Sequence, residues 1–158
     1  MRLYLVRHGQ TDMNKNQMFY GWTDVDINAE GVRQAKRLRE YFREVQLDAI
    51  YSSDLRRAAH TAEIIASGKK MPVQYQSAFR ELYYGDWENQ TTAYIKEHYQ
   101  EELQGWVTDW KERTMPNGER FSAFYHRVAR GVDALIQENR GKQVLLVAHN
   151  GALSALLC

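Results

Sequence analysis

Leu3-Tyr4-Leu5-Val6-Arg7-His8-Gly9-Gln10-Thr11 begins as an apolar run and stops at a cation, an imidazole and a glycine. Four consecutive apolar residues of this kind read as a strand covered on both faces, as in a parallel sheet. Arg7 and His8 then fall at the carboxyl end of that strand, where open α/β sheets bind ligands. Gly9 allows a sharp turn and lets a ligand approach the backbone. A strand end with a surface Arg and a half-buried His fits these residues equally well. A second stretch, Gln143-Val144-Leu145-Leu146-Val147-Ala148-His149-Asn150-Gly151, repeats the pattern near the other end of the chain. In a parallel sheet both imidazoles project from one edge, and if the strands are neighbours they lie within a few ångströms of each other.

The residues between these stretches alternate strand and helix. Asn28, with Glu30, opens a helix whose apolar stripe is Val32, Ala35, Leu38 and Phe42. Leu47–Ser52 is a second strand, Asp54–Ala66 a second helix stopped at Gly68, and Pro72–Tyr75 a third strand suited to an edge. Tyr94–Arg113 reads as one aromatic-rich helix, Met115–Gly118 as a turn, and Phe121–Glu138 as an amphipathic helix closed by Asn139-Arg140-Gly141. Gln10–Ile27 and Phe79–Asn89 are irregular, and loops of that length in a compact domain are usually functional. The pattern predicts a single α/β domain over residues 1–158, three-layered α/β/α around a mostly parallel sheet.

Composition narrows the function. The 158 residues carry 21 Lys plus Arg against 20 Asp plus Glu, a net charge of +1. That balance is wrong for a nucleic-acid or membrane-surface binder, though a local cationic pocket is compatible with it. One cysteine, Cys158, excludes an internal disulfide framework and fits a reducing compartment. With no membrane-length apolar run and no signal-peptide pattern, a cytoplasmic enzyme is the expected class.

The chemistry that fits two strand-end histidines beside arginines is phosphoryl transfer to an imidazole. Neutral histidine is a competent nucleophile, and guanidinium groups stabilise the charge that builds on phosphoryl oxygens. Arg7 offers a fork for an anion. Arg57 sits in the first turn of its helix, where a cation opposes the macrodipole, so it is either a surface ion-pair residue or the partner of a bound anion. The leaving alkoxide needs a proton, and Glu81, flanked by Phe79 and Leu82-Tyr83-Tyr84, is the best candidate for a carboxylic acid that titrates high. Taken alone, Glu81 reads better as a surface carboxylate paired with Arg80. A metal is not expected: of five histidines only His8 and His149 end strands, and no HxH or HExxH spacing occurs.

Several blocks together resemble the histidine phosphatase (phosphoglycerate mutase-like) superfamily. Arg7-His8-Gly9-Gln10-Thr11 with Asn14 resembles its RHGxTxxN signature. Gly21-Trp22 and Ile27–Ala35 resemble the following block, with Asn28 where Thr is commoner. Ser52-Ser53-Asp54-Leu55-Arg56-Arg57-Ala58 with Thr61-Ala62 resembles SSPLxRAxxTA, with Asp54 in place of Pro. Glu81–Glu88, Pro116–Glu119 and His149-Asn150-Gly151 complete the set in family order, Asn150 standing where Gly is common. The resemblance implies His8 as the phosphorylated nucleophile and Glu81 as general acid, then base. It implies Arg7, Arg57 and His149 around the phosphoryl group, with Asn14 beside them. Gly9, Gly21, Asn150 and Gly151 are then substrate-side positions.

The resemblance implies a metal-independent and cofactor-free phosphomonoesterase for a small phosphorylated metabolite. The overall look is that of the α-ribazole-phosphate and broad-specificity phosphatases, and a homodimer is left open. A mutase is the alternative, disfavoured because Trp110–Pro116 is short and lacks an Arg-Arg pair. A catalytically silent phosphate-binding module is the other. The aromatic stretch Tyr83–Trp110 serves either as a lid over a ring-containing substrate or as core. Family members continue through a helix and strand after the second histidine, so the apolar end Ala155–Cys158 is expected to belong to a cut or truncated chain.

Overall fold

A computed structural model describes residues 1–157. Four parallel strands, β1 (Arg2–Arg7), β2 (Ala49–Ser52), β3 (Val73–Tyr75) and β4 (Gln143–Ala148), form one sheet in the order β1-β4-β2-β3. The helices are α1 (Asp12–Lys15), α2 (Ala29–Arg43), α3 (Arg56–Ser67), α4 (Thr92–His98), α5 (Gln100–Thr108), α6 (Phe121–Glu138) and α7 (Asn150–Ala155), with short 3-10 turns at Ser77–Phe79 and Gly85–Trp87.

Alternate side chains of β4 enter the two cores. Leu145 and Val147 meet Phe42 of α2 and Ala58, Ala62 and Ile65 of α3, while Val144, Leu146 and Ala148 meet Phe124, Val128 and Leu135 of α6. The three-layer α/β/α expectation therefore holds, and each helix turns an apolar stripe to the sheet because its sequence carries one. β4 is central and fully buried from Val144 to Ala148. β1 is covered on both faces, but as an edge strand of the described sheet it keeps Leu3, Tyr4 and Leu5 half-buried.

Several expected boundaries move; β2 starts at Ala49 rather than Leu47, and two helical changes have a clear cause. The helix expected over Tyr94–Arg113 is two helices, broken at Tyr99, whose φ of −134° and ψ of 40° leave the helical region. Glu101 and Glu102 fall in the first turn of α5, a helix-start signal that continuous apolar spacing concealed. Both pieces pack around Trp87, which is fully buried with Tyr99 and Trp106 edge-on to its ring. Tyr99 and Trp106 thus join the core, whereas Tyr94 and Trp110 remain substantially exposed. Helix α3 starts two residues later than expected because Asp54 is engaged elsewhere and Asp24 accepts the Arg56 amide N–H at 2.6 Å. Cys158, the last residue of the expected apolar end, lies outside the described residues. No helix among the described residues is long and apolar enough to cross a membrane.

Candidate active site

β1 and β4 are hydrogen-bonded neighbours in parallel register, with Arg7 opposite Ala148. The next residue of each strand is therefore a histidine at the same edge. The His8 and His149 ring centroids lie 5.2 Å apart. This proximity follows from strand order alone, given the two sequence runs.

The His8 Nδ1 atom lies 2.8 Å from the Gly9 carbonyl. A carbonyl only accepts, so Nδ1 carries the proton and Nε2 keeps a lone pair. Burial, then the Arg57 charge, push the His8 pKa down to about 3, so the ring is neutral at physiological pH. Gly9 is needed for a different reason from the one the sequence offered. A Cβ there would sit 2.6 Å from the Gly31 carbonyl oxygen of α2, so the glycine admits a helix rather than a ligand. The Gly9 N–H is donated to Thr61 Oγ1 on α3 at 3.0 Å, which ties the strand end to the next layer.

Arg57 is 1% exposed and has no carboxylate within ion-pair distance among the described residues. Its guanidinium donates to the Gly21 carbonyl at 2.6 Å and the Thr23 carbonyl at 3.0 Å and lies 4.6 Å from the Tyr20 ring centroid. The surface ion-pair reading of Arg57 is thereby excluded. Gly21 supports Arg57 from behind and does not line the cavity.

Glu81 is 8% exposed, and Arg80 does not pair with it. Arg80 instead grips Asp54 with both arms of its fork, at 2.7 and 2.6 Å. The Glu81 carboxyl accepts the Gly151 N–H at 2.9 Å and the Leu82 N–H at 3.0 Å. Burial raises its pKa, against the opposing pull of those two N–H groups and of Arg57 and Arg7. A Cβ on Gly151 would fall 2.3 Å from Glu81 Oε1, so α7 approaches the carboxyl only because glycine stands there.

Arg7, His8, Asn14, Arg57, Glu81 and Gly151 meet at one cavity of about 360 Å³, whose far wall includes Tyr84. Asn150 also lines it. His149 stands beside His8, fully buried, with Nε2 2.8 Å from Ser53 Oγ. Of the ten residues singled out from sequence, the structure gathers all but Gly9 and Gly21 at or against this cavity.

Four contributors escaped the sequence reading. Glu88 accepts N–H groups from Gly21, Trp22, Thr23 and Tyr84, clamping the loop that carries the Arg57 acceptors. Arg127 donates to the carbonyls of Ala78, Arg80 and Glu81 and pairs with Glu119, which holds the chain on which Glu81 sits. Tyr20 underlies Arg57, and Ser53 touches His149. The clustering of Glu88 with Glu81 in one block, and of Ser53 with Arg57 in another, signalled two of these. The rest depend on contacts between segments distant in sequence.

Two imidazoles side by side at the carboxyl edge of a parallel sheet, backed by a buried arginine, is the arrangement of histidine phosphatases, and the chain belongs to that superfamily. The family model "Histidine phosphatase superfamily (branch 1)" matches residues 3–158. Among the relatives is the adenosylcobalamin/alpha-ribazole phosphatase of Escherichia coli (strain K12), 34% identical over 99% of this chain and 77% of its own length. The uncharacterized phosphatase PhoE of Bacillus subtilis (strain 168) is 36% identical over 97% of this chain and 74% of its own length. Among solved structures, the alpha-ribazole phosphatase from Shigella flexneri superposes with a TM-score of 0.93 at 34% identity, covering 99% of this chain and 78% of that one.

The electrostatics of the site carry a stability consequence. The unfolded chain binds a proton at His8 near pH 6.5, whereas the folded chain refuses it until about pH 3. Stability present above pH 6.5 is therefore lost as pH falls towards 3. Between pH 7 and 5 His8 is expected to cost about 2 kcal/mol. Burial of His149 acts in the same direction and the raised pKa of Glu81 in the opposite one. Urea unfolding at the two pH values measures the sum, and in His8→Gln the drop should shrink by about that amount.

Proposed function

We propose that the chain is a metal-independent phosphomonoesterase working through a phosphohistidine at His8. The observation that carries this is the tautomer of His8: neutral, protonated at Nδ1 and free at Nε2, beside Arg57 and Glu81. His8 Nε2 attacks phosphorus, the ester P–O bond breaks, and Glu81 gives its proton to the departing alkoxide. The Glu81 carboxylate then takes a proton from water, whose oxygen attacks phosphorus. The P–N bond breaks, inorganic phosphate leaves, and His8 returns to its neutral form. Arg7, Arg57 and His149 face the charge on the phosphoryl oxygens, and Asn14, Asn150 and Gly151 border the substrate.

The similarity to alpha-ribazole phosphatases supports a substrate of that class, a small phosphorylated metabolite such as α-ribazole 5'-phosphate. Hydrolysis of p-nitrophenyl phosphate in EDTA, with an acid-labile phosphoenzyme trapped by rapid quench, is the direct test. Loss of turnover on chelation would remove the metal-independent reading.

Glu81→Gln separates the acid role from mere placement. A glutamine preserves shape but has no proton to give. Phosphorylation by alkyl esters, which leave as poor alkoxides, is expected to slow by about 10³-fold, and by p-nitrophenyl phosphate about tenfold. In the wild type, kcat/KM falls as pH rises through the raised Glu81 pKa, because the acid form is then depleted. That alkaline limb should vanish in Glu81→Gln. Equal slowing for both classes of ester argues against the role.

A further inference from the structure

His149 meets an anion without a positive charge of its own. Burial and the neighbouring Arg57 hold its pKa well below the ordinary histidine value, so it is neutral. A neutral imidazole attracts phosphoryl oxygens only through whichever nitrogen carries the proton, and repels them with the other. Which nitrogen carries it is therefore a functional question.

The contacts of Ser53 answer it. The Ser53 side chain is fully buried, at 0% exposure. Among the described residues its hydroxyl has two partners: the Leu55 N–H at 3.3 Å and His149 Nε2 at 2.8 Å. The Leu55 amide can only donate, so Ser53 Oγ accepts there. The hydroxyl proton then has one acceptor within reach, the lone pair of His149 Nε2. In that arrangement the imidazole proton sits on Nδ1, which is itself buried and without a partner among the described residues. The opposite tautomer would leave two buried groups unsatisfied, the serine proton and an Nδ1 lone pair, and buried polar groups without partners are rare.

We infer that Ser53 is a positioning residue that sets the tautomer of His149, donating its hydroxyl proton to Nε2 so that Nδ1–H is the hydrogen-bond donor presented to the phosphoryl group. The two adjacent histidines are thereby held in complementary roles by different neighbours. The Gly9 carbonyl takes the Nδ1 proton of His8 and frees its Nε2 lone pair, whereas the Ser53 hydroxyl occupies Nε2 of His149 and frees its Nδ1–H. The functional part of this inference rests on the phosphatase reading above. The tautomer does not, since it is a property of the free protein.

Long-range ¹H–¹⁵N spectra of the labelled protein at pH 7.5, with His149→Gln for assignment, read the tautomer directly. The wild type is expected to show His149 protonated at Nδ1, with that resonance moving on addition of inorganic phosphate. Ser53→Ala is expected to give a mixture of tautomers and a kcat/KM about tenfold to hundredfold lower, and Ser53→Thr to restore both to near wild type. An Nε2–H form in the wild type overturns the inference, as does a tautomer unchanged in Ser53→Ala. Should Ser53→Ala not fold, the wild-type spectrum decides by itself. A correct tautomer together with turnover that survives His8→Ala would sink the phosphatase reading and leave the tautomer assignment standing.

Discussion

His8→Ala should lower kcat/KM for p-nitrophenyl phosphate by about 10⁵-fold, the scale seen when a covalent nucleophile is removed. The imidazole is the only nucleophile that the proposed mechanism provides, and alanine has no lone pair to offer phosphorus. Phosphate affinity should change much less, because Arg7, Arg57 and His149 remain around the cavity. The fold should persist as well, since the tie from the strand end to Thr61 runs through the Gly9 N–H and not through the imidazole. Rapid-quench experiments should trap acid-labile phosphate on the wild type and none on the variant. Residual turnover above about 1% of wild type would be incompatible with a phosphohistidine at this position.

Arg57→Met should cost about 10³-fold in kcat/KM while moving the urea midpoint little. The activity loss follows from removing a buried cation that lines the cavity. The small stability change follows from a balance. The guanidinium donates to the Gly21 and Thr23 carbonyls, which favours the native state. It is also taken out of water without a carboxylate partner, which is costly, and burial accordingly depresses its pKa. A methionine of similar length fills the space over Tyr20 without the desolvation penalty. Arg57→Lys keeps the charge but not the planar fork that spans two carbonyls, so its activity should fall between wild type and Arg57→Met. A large drop in unfolding midpoint for Arg57→Met would mean that the arginine is kept for folding rather than for anion binding.

Trp22 shows how closely the two halves of this site are joined. Its indole N–H is donated to the Glu81 carbonyl at 2.9 Å, its ring lies under the Arg80 guanidinium, and its amide is held by Glu88. The loop that holds Arg57 is thereby fastened to the loop that carries Glu81. A change in either loop reaches both the Arg57 side and the Glu81 side of the cavity.

Apolar runs and their periods were enough to define the layers, because burial on two faces demands the near-continuous hydrophobicity of β4, and burial on one demands the stripes of α2 and α6. The two strand-end histidines were legible for the same reason: a run that must be buried cannot end in Arg-His or Ala-His without placing those groups at the sheet edge. Local patterning could not separate α4 from α5, since apolar residues four apart continue across Tyr99. Nor could it choose between Arg80 and burial for Glu81, because both readings use the same neighbours in sequence.

Those choices were made by contacts that sequence spacing does not encode. Asp54 captured Arg80, α7 brought Gly151 to the Glu81 carboxyl, and the Gly21–Thr23 carbonyls closed around Arg57. Protonation is decided there too. Whether an imidazole is neutral, and at which nitrogen it holds its proton, depends on the depth of burial and on single partners such as the Gly9 carbonyl and the Ser53 hydroxyl. The identity of the reacting residues thus belongs to the chain, and their charge state to the packing, because desolvation and hydrogen-bond direction exist only once distant segments have met.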